Sequence, residues 1–218
     1  AAAQRLAQAA DTGQPCEPVR DLIGRDDLDS AYAVQDVLTA RRVAGGEQVV
    51  GRKIGLTSLA VQQQLGVDRP DFGVLFGAMG HADGATIAAA DLMQPRVEAE
   101  IAFVLGADLV DGPLDAEQVR AATDHVVAAL EVCGSRIRDW DISFGDTVAD
   151  NASGAAFVLG TDRRSLDEVV PAEVEMTMSI DGVEASTGNG AACLGDPVEA
   201  VVWLARTARD LGDPLRAG

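Results

Sequence analysis

Along residues 1–47 the apolar positions fall at helical spacing. Ala31, Val34 and Leu38, continued by Arg41, lie three to four residues apart, and Gly45-Gly46 supplies a stop. From Gln48 the pattern changes: Val49-Val50-Gly51-Arg52-Lys53-Ile54 reads as a strand, broken by Gly55. Residues 66–84 hold six glycines or prolines and predict loops with short strands. Arg96 to Leu105 is the clearest strand. It carries Val97, Ala99, Ile101 and Phe103 on one face, and Gly106 closes it.

Asp115 to about Val127 predicts an amphipathic helix, with Val119, Ala122 and Val126 as its stripe and Asp115 with Gln118 as a capping box. Ala128 to Cys133 continues that helix or starts a strand; periodicity does not decide. Val174 to Ile180, then Asp181-Gly182, then Val183 onward predicts a hairpin, because Asp-Gly tolerates the positive φ of a type I′ turn. The last helix is marked by Asp196 as N-cap, Pro197 at the first turn, Glu199 completing a box and Gly212 at the end. Strands interspersed with few helices, with no βαβ rhythm, favour an α+β fold over a doubly wound sheet.

The length, 218 residues, suits a single domain: a helical arm at 1–47 and a β-rich core from 48 to 218. Seventeen Lys and Arg against 35 Asp and Glu leave a net charge of −18. That excludes a nucleic-acid binder, which needs a basic face, and docking on anionic lipid. It permits a bound divalent cation. No apolar run approaches the roughly 20 residues of a membrane span. The alanine-rich start leads into a helix and does not resemble a signal segment. The three cysteines, Cys16, Cys133 and Cys193, show no metal-binding spacing and read as reduced thiols of a cytoplasmic protein. Two histidines, His81 and His125, leave little room for a histidine metal site or a Ser-His-Asp triad. His81 falls in a Gly-rich loop and His125 on the predicted helix.

Candidate chemistry concentrates in a few places. Glu98 and Glu100 share one face of the 96–105 strand, with Cβ atoms about 7 Å apart. Two carboxylates aimed at one point suit Mg²⁺ or Mn²⁺; the same spacing also serves a solvated acidic edge. Glu131 stands in an apolar run, where a buried carboxylate needs a partner or a metal; a surface glutamate fits the run equally. Lys53 lies between Gly51 and Gly55 on one strand face, which leaves space above it, as for a ligand, or marks an exposed lysine. Asp71 follows Pro70 and precedes Phe72-Gly73, where it reads as a turn residue. Asp146, Asp150, Asn151 and Ser153 form a polar cluster that reads as a loop with an N-cap.

Several stretches, taken together, resemble a known family. They are Val50-Gly51-Arg52-Lys53-Ile54-Gly55-Leu56-Thr57-Ser58, Val61-Gln62-Gln63-Gln64-Leu65-Gly66-Val67, Pro70-Asp71-Phe72-Gly73, Gln94 to Ile101, Ala129-Leu130-Glu131-Val132, Gly134 to Trp140 and Val148 to Ser153. In this order they are similar to the 2-keto-4-pentenoate hydratases of the fumarylacetoacetate hydrolase superfamily, from about Arg20 to the end of the chain. The resemblance implies a mixed β-sandwich roll with helices outside, and a Mg²⁺ or Mn²⁺ ion held by Glu98, Glu100 and Glu131. Lys53 and Asp71 are the catalytic candidates, and Phe72, Asn151 and Ser153 the candidates for contacting substrate.

The implied reaction is hydration of 2-hydroxypenta-2,4-dienoate, a small 2-hydroxy dienoic acid, to 4-hydroxy-2-oxopentanoate in meta-cleavage degradation of aromatic compounds. The alternatives are decarboxylation of 2-oxo-3-hexenedioate, acylpyruvate-type hydrolysis, or a non-catalytic partner subunit. Asp71 and Gly134 match the hydratases better than the decarboxylases. The resemblance also implies a homo-oligomer and association with other enzymes of that pathway. Relatives continue beyond the equivalent of Gly218 with further strands, so the core is expected here without its closing ones.

Overall fold

The structure, a computed structural model, describes residues 1–218, the side chain of Leu65 excepted. The N-terminal region folds as α1 (Ala2–Thr12), α2 (Arg20–Ile23) and α3 (Leu28–Ala44). Asp27 caps α3 by accepting from Ser30 N, and Gly45 follows its last turn, as the Gly-Gly stop predicts. Then come β1 (Val49–Gly55), α4 (Leu59–Leu65), β2 (Asp71–Phe76) and β3 (Gly80–His81). β4 (Arg96–Leu105) has the expected bounds. It is followed by α5 (Ala116–Ala122), β5 (Thr123–Cys133), α6 (Phe144–Ala149) and β6 (Gly154–Leu159). The hairpin β7 (Glu175–Ile180) and β8 (Val183–Asn189) and the helix α7 (Pro197–Asp210) complete the chain.

The architecture is α+β. One sheet has the order β3-β6-β5-β4, with β3 and β6 parallel, and two-stranded antiparallel pairs join β1 to β2 and β7 to β8. The chain divides into two compact units. The first comprises Ala1–Gly55, Asp71–Glu98 and Leu130–Val158. Its helices close over Leu6, Val19, Ala31, Ile137 and Val148, all buried. Gln35, buried on α3, donates to Phe72 O at 3.0 Å and to Val148 O at 2.9 Å, and so ties β2 and α6 to one helix. A buried amide must be satisfied, so this pairing also fixes the height of β2.

The second unit comprises Leu56–Pro70, Ala99–Ala129 and Leu159–Gly218. Leu109, Leu114, Val119, Val198, Val202 and Ala205 pack α5 against α7. Asp181 and Gly182 take φ of 51° and 77°, the type I′ turn that Asp-Gly predicts. Asp196 caps α7 by accepting from Val198 N at 3.0 Å, rather than through a box with Glu199, whose N–H goes to the Asp196 carbonyl.

Two local expectations are corrected. The helix from Asp115 ends at Ala122, and Val126 and Val127 are buried as strand residues of β5, so His125 lies on a strand. Sheet pairing has outweighed helical periodicity there. The capping box is half formed. Asp115 accepts from Gln118 N at 3.0 Å, but the Gln118 side chain accepts from Leu114 N and donates to Asp111 O.

Candidate active site

The antiparallel register of β1 and β2 sets Gly55 opposite Asp71 and Lys53 opposite Gly73. Lys53 and Gly55, two residues apart, share a strand face. A Cβ on Gly55 would lie 2.3 Å from Asp71 Oδ1 and 3.2 Å from Lys53 Nζ, so only glycine fits beneath the two charges. Gly51, on the same face, is not so constrained: its nearest neighbour would be Leu75 at 3.9 Å. Lys53 is therefore a buried side chain, 8% exposed, and not a surface lysine.

The ammonium is held from two sides. Nζ donates to Ala152 O at 2.9 Å and lies 3.2 Å from Glu131 Oε1, the latter at an angle too acute for a hydrogen bond. Ala152 O is delivered by unusual backbone: Asn151, Ala152 and Ser153 all have positive φ, at 57°, 46° and 57°. Left-handed backbone costs a non-glycine residue about 1–2 kcal/mol, so three in a row need support. The Asn151 amide supplies it by accepting from Val74 N at 2.7 Å and donating to Val74 O at 3.0 Å. Ser153 Oγ lies 3.2 Å from Thr147 Oγ1. Arg136 pairs with the buried Asp150 at the base of this turn, with its backbone N–H at 2.9 Å.

Asp71 opens β2 and is 2% exposed; its Oδ1 has no hydrogen-bond partner among the described residues, and neither has Glu131 Oε1. Burial raises the Asp71 carboxyl above the usual carboxylate range, opposed by the Lys53 charge. Burial raises Glu131 in the same way, again opposed by Lys53, with Glu98 adding like-charge repulsion. For Lys53 burial works downward, but the attraction of the carboxylates of Glu131, Asp71 and Glu98 outweighs it, and the ammonium stays protonated with a raised pKa. The sequence left this charge state open.

Glu98 on β4 and Glu131 on β5 do converge. Their carboxylate oxygens and Cys133 Sγ all lie within 4.8 Å of one another. Two carboxylates, one with a buried oxygen that accepts no hydrogen bond, are a donor set that fits a hard divalent cation. Glu100, on the same face of β4, belongs to the second unit; its charge is among those that, after burial, raise the Cys193 thiol. Burial likewise raises the Cys133 thiol and keeps it neutral.

The remaining candidates fall elsewhere. Phe72 alternates to the face opposite Asp71 and stacks on Tyr32, with ring centroids 4.7 Å apart. Gly134 is glycine for packing, since a Cβ there would meet Met93 O at 2.9 Å and Ala155 Cβ at 3.0 Å. Asp146 is buried and engaged both in capping α6 and in accepting from Val19 and Arg20 at the start of α2. His125 Nδ1 lies 2.7 Å from the neighbouring Asp124. Cys133 and the Ala152 carbonyl are the participants that sequence reasoning missed. The spacing of Glu131 and Cys133, two apart, points to a shared face once β5 is known to be a strand.

Residues 48–218 match the fumarylacetoacetate (FAA) hydrolase C-terminal family. The chain belongs to the fumarylacetoacetate hydrolase family. Within that family it is 55% identical over 217 residues to a 2-keto-4-pentenoate hydratase of Paraburkholderia xenovorans (strain LB400), covering 100% of this chain and 81% of that protein. It is 44% identical over 220 residues to a 2-hydroxyhexa-2,4-dienoate hydratase of Comamonas testosteroni, covering 99% of this chain and 82% of the relative. The 4-oxalocrotonate decarboxylase from Pseudomonas putida G7, solved with magnesium and adipate, superposes with a TM-score of 0.94 at 33% identity, over 100% of this chain and 82% of that one.

Proposed function

We propose that this chain is a metal-dependent hydro-lyase that hydrates 2-hydroxypenta-2,4-dienoate (2-keto-4-pentenoate) to 4-hydroxy-2-oxopentanoate, in the breakdown of aromatic compounds. The observation that carries the reading is the pair of buried carboxylate oxygens of Asp71 and Glu131, neither accepting a hydrogen bond, beside the Lys53 ammonium, in a chain 55% identical along its length to a 2-keto-4-pentenoate hydratase.

Glu98 and Glu131 would hold Mg²⁺ or Mn²⁺, and the family resemblance adds Glu100, next along that face of β4. The ion, when bound, supplies Lewis-acid stabilisation of negative charge on the substrate's 2-oxygen. Lys53 offsets the charge of the substrate carboxylate. Its contact with Ala152 O fixes where the ammonium sits. The reaction is a series of proton moves. Ketonisation takes a proton from the 2-hydroxyl and places one on carbon 5. Hydration then takes one from water as its oxygen joins carbon 4, and places one on carbon 3. Asp71, raised toward neutrality and next to Lys53, is the residue we assign to accept and return these protons. Asn151 and Ser153 shape the wall, by holding the turn that carries Ala152 O. Phe72 acts from behind, fixing β2 against Tyr32.

Among the described residues no helix is long and apolar enough to cross a membrane. A cytoplasmic homo-oligomer, associating with other enzymes of the pathway, completes the proposal; the reduced cysteines and the family resemblance support it. The likeness to a decarboxylase favours one second reading, release of CO₂ from 2-oxo-3-hexenedioate. The test is to strip the purified protein with EDTA, reload it with Mg²⁺ and offer each substrate. We expect loss of the dienoate's ultraviolet absorption and 4-hydroxy-2-oxopentanoate by NMR. CO₂ release without hydration would establish the decarboxylase, and inertness to both a non-catalytic subunit.

A further inference from the structure

Cys133 has no part in the proton moves assigned above, yet it lies beside the two glutamates assigned to the metal. It is 5% exposed on β5, two residues beyond Glu131 and on the same strand face. Its Sγ and single oxygens of Glu98 and Glu131 lie mutually within 4.8 Å, close enough for one ion to touch all three. Glu131 is itself 6% exposed, and its Oε1 accepts no hydrogen bond. That oxygen already faces the Lys53 ammonium at 3.2 Å, so the position favours positive charge, and the thiol with the second carboxylate completes a donor set for a cation.

The chemistry of the donors divides cations into two classes. Mg²⁺ and Mn²⁺ are satisfied by carboxylate oxygen and water and gain little from sulfur. Zn²⁺ and Cd²⁺ prefer a thiolate and accept a mixed oxygen and sulfur set, commonly with four ligands. We propose that Glu98, Glu131 and Cys133 form a thiophilic divalent-cation site overlapping the Mg²⁺ site, through which Zn²⁺ or Cd²⁺ displaces Mg²⁺ and blocks turnover. As the metal–sulfur bond forms, the Cys133 thiol releases its proton to solvent. The sulfur ties the ion to β5 and fills a ligand position that substrate oxygens would otherwise take. This rests on the placement of the hydratase metal at Glu98 and Glu131, but not on which reaction the enzyme catalyses.

The experiment uses the whole chain, freed of metal with EDTA and titrated with Cd²⁺ alone. The ultraviolet sulfur-to-cadmium charge-transfer band reports the bond directly. We expect one band-forming site per chain, abolished by competing Mg²⁺ at high concentration. Cys133→Ser should lose the band, while a Cys16→Ser/Cys193→Ser double variant keeps it, which assigns the sulfur. Loss of an outer-shell partner alone costs about 10–100-fold in metal affinity, so loss of the sulfur donor should weaken Cd²⁺ by at least about tenfold. Mg²⁺ affinity by calorimetry should change little. Glu98→Gln, at an exposed position, should weaken both ions and guards against misfolding of the buried variant.

No band in the wild-type chain, a band that survives in Cys133→Ser, or Cd²⁺ binding indifferent to Mg²⁺ would each overturn the proposal. A competed band in a protein that hydrates no dienoate would sink the assigned reaction and leave this site standing. Hydration without a band would do the reverse.

Discussion

Two buried aspartates in the first unit, Asp146 and Asp71, are opposites. Asp146 accepts from five donors: the N–H groups of Val19, Arg20 and Ser143, the Ser143 hydroxyl and the Arg20 guanidinium, at 2.8 to 3.0 Å. Burial pushes its carboxyl up, but these donors prevail and hold it below the usual range. Asp71 keeps one oxygen without a hydrogen-bond donor, and burial raises it despite Lys53 nearby. A carboxylate saturated with fixed donors is committed to one charge state and serves the fold. One left short of donors is free to exchange protons and take a ligand, at a cost in stability. Burial alone therefore does not separate these two carboxylates; the count of donors does.

The harshest way to break this contrast is to remove the cation on the Asp71 side. Lys53→Met leaves the buried carboxyl groups of Asp71 and Glu131 without the cation that offsets their burial. We expect a stability loss of about 3–5 kcal/mol by denaturant melts and a fall in kcat/KM within about 10²–10⁴-fold. Lys53→Arg should not restore activity, because the planar guanidinium does not fit above Gly55. Normal turnover by Lys53→Met would make the ammonium a bystander.

The contrast is sharpest in a pair of isosteric changes. Asp71→Asn should cut kcat by about 10²-fold or more while leaving the melting temperature unchanged or higher. The raised carboxyl is favoured when protonated, so its ionisation destabilises the folded state as pH rises. Asp146→Asn should do the opposite, costing roughly 3 kcal/mol of stability with kcat retained. Its lowered carboxyl contributes stability above the unfolded value of about 3.9, and that stability fades as pH falls through the folded value. Acid melts should therefore be flatter for Asp146→Asn than for the wild type. Equal stability losses in the two variants would erase the distinction between the two aspartates.

Metal should act on one aspartate's surroundings only. A hundredfold excess of Mg²⁺ over its Kd adds about 2.7 kcal/mol, so the melting temperature should rise over that in EDTA. The rise should be lost in Glu131→Gln and preserved in Asp146→Asn. The mildest probe is Gly55→Ala, whose methyl overlaps Asp71 Oδ1. Overpacking of this kind costs about 1–3 kcal/mol, and the displaced carboxylate should slow turnover. A comparable Gly51→Ala should be silent, since its Cβ meets only Leu75 Cδ1, at an ordinary contact distance of 3.9 Å.

Much of the scaffold was legible in local chemistry. β4 has the bounds that alternation and Gly106 predict, and the Asp181-Gly182 hairpin and the Asp196–Pro197 helix start form as their residue types require. These signals act within about four residues, so no distant partner can change them. The family resemblance then named the acidic and basic candidates, and Glu98, Glu131, Lys53 and Asp71 all belong to one unit.

What the sequence by itself determined was therefore which segments turn, which alternate and which side chains carry charge. The tertiary structure decided the rest. It ended α5 at Ala122 by drawing the following residues into a sheet. It set Gly55 against Asp71 across a strand pair, and it aimed Ala152 O at Lys53 from 99 residues away. It also brought Cys133 to the two glutamates and fixed the charge of Lys53. Close approach, desolvation and summed Coulomb attraction depend on segments remote along the chain, and no window of sequence contains them.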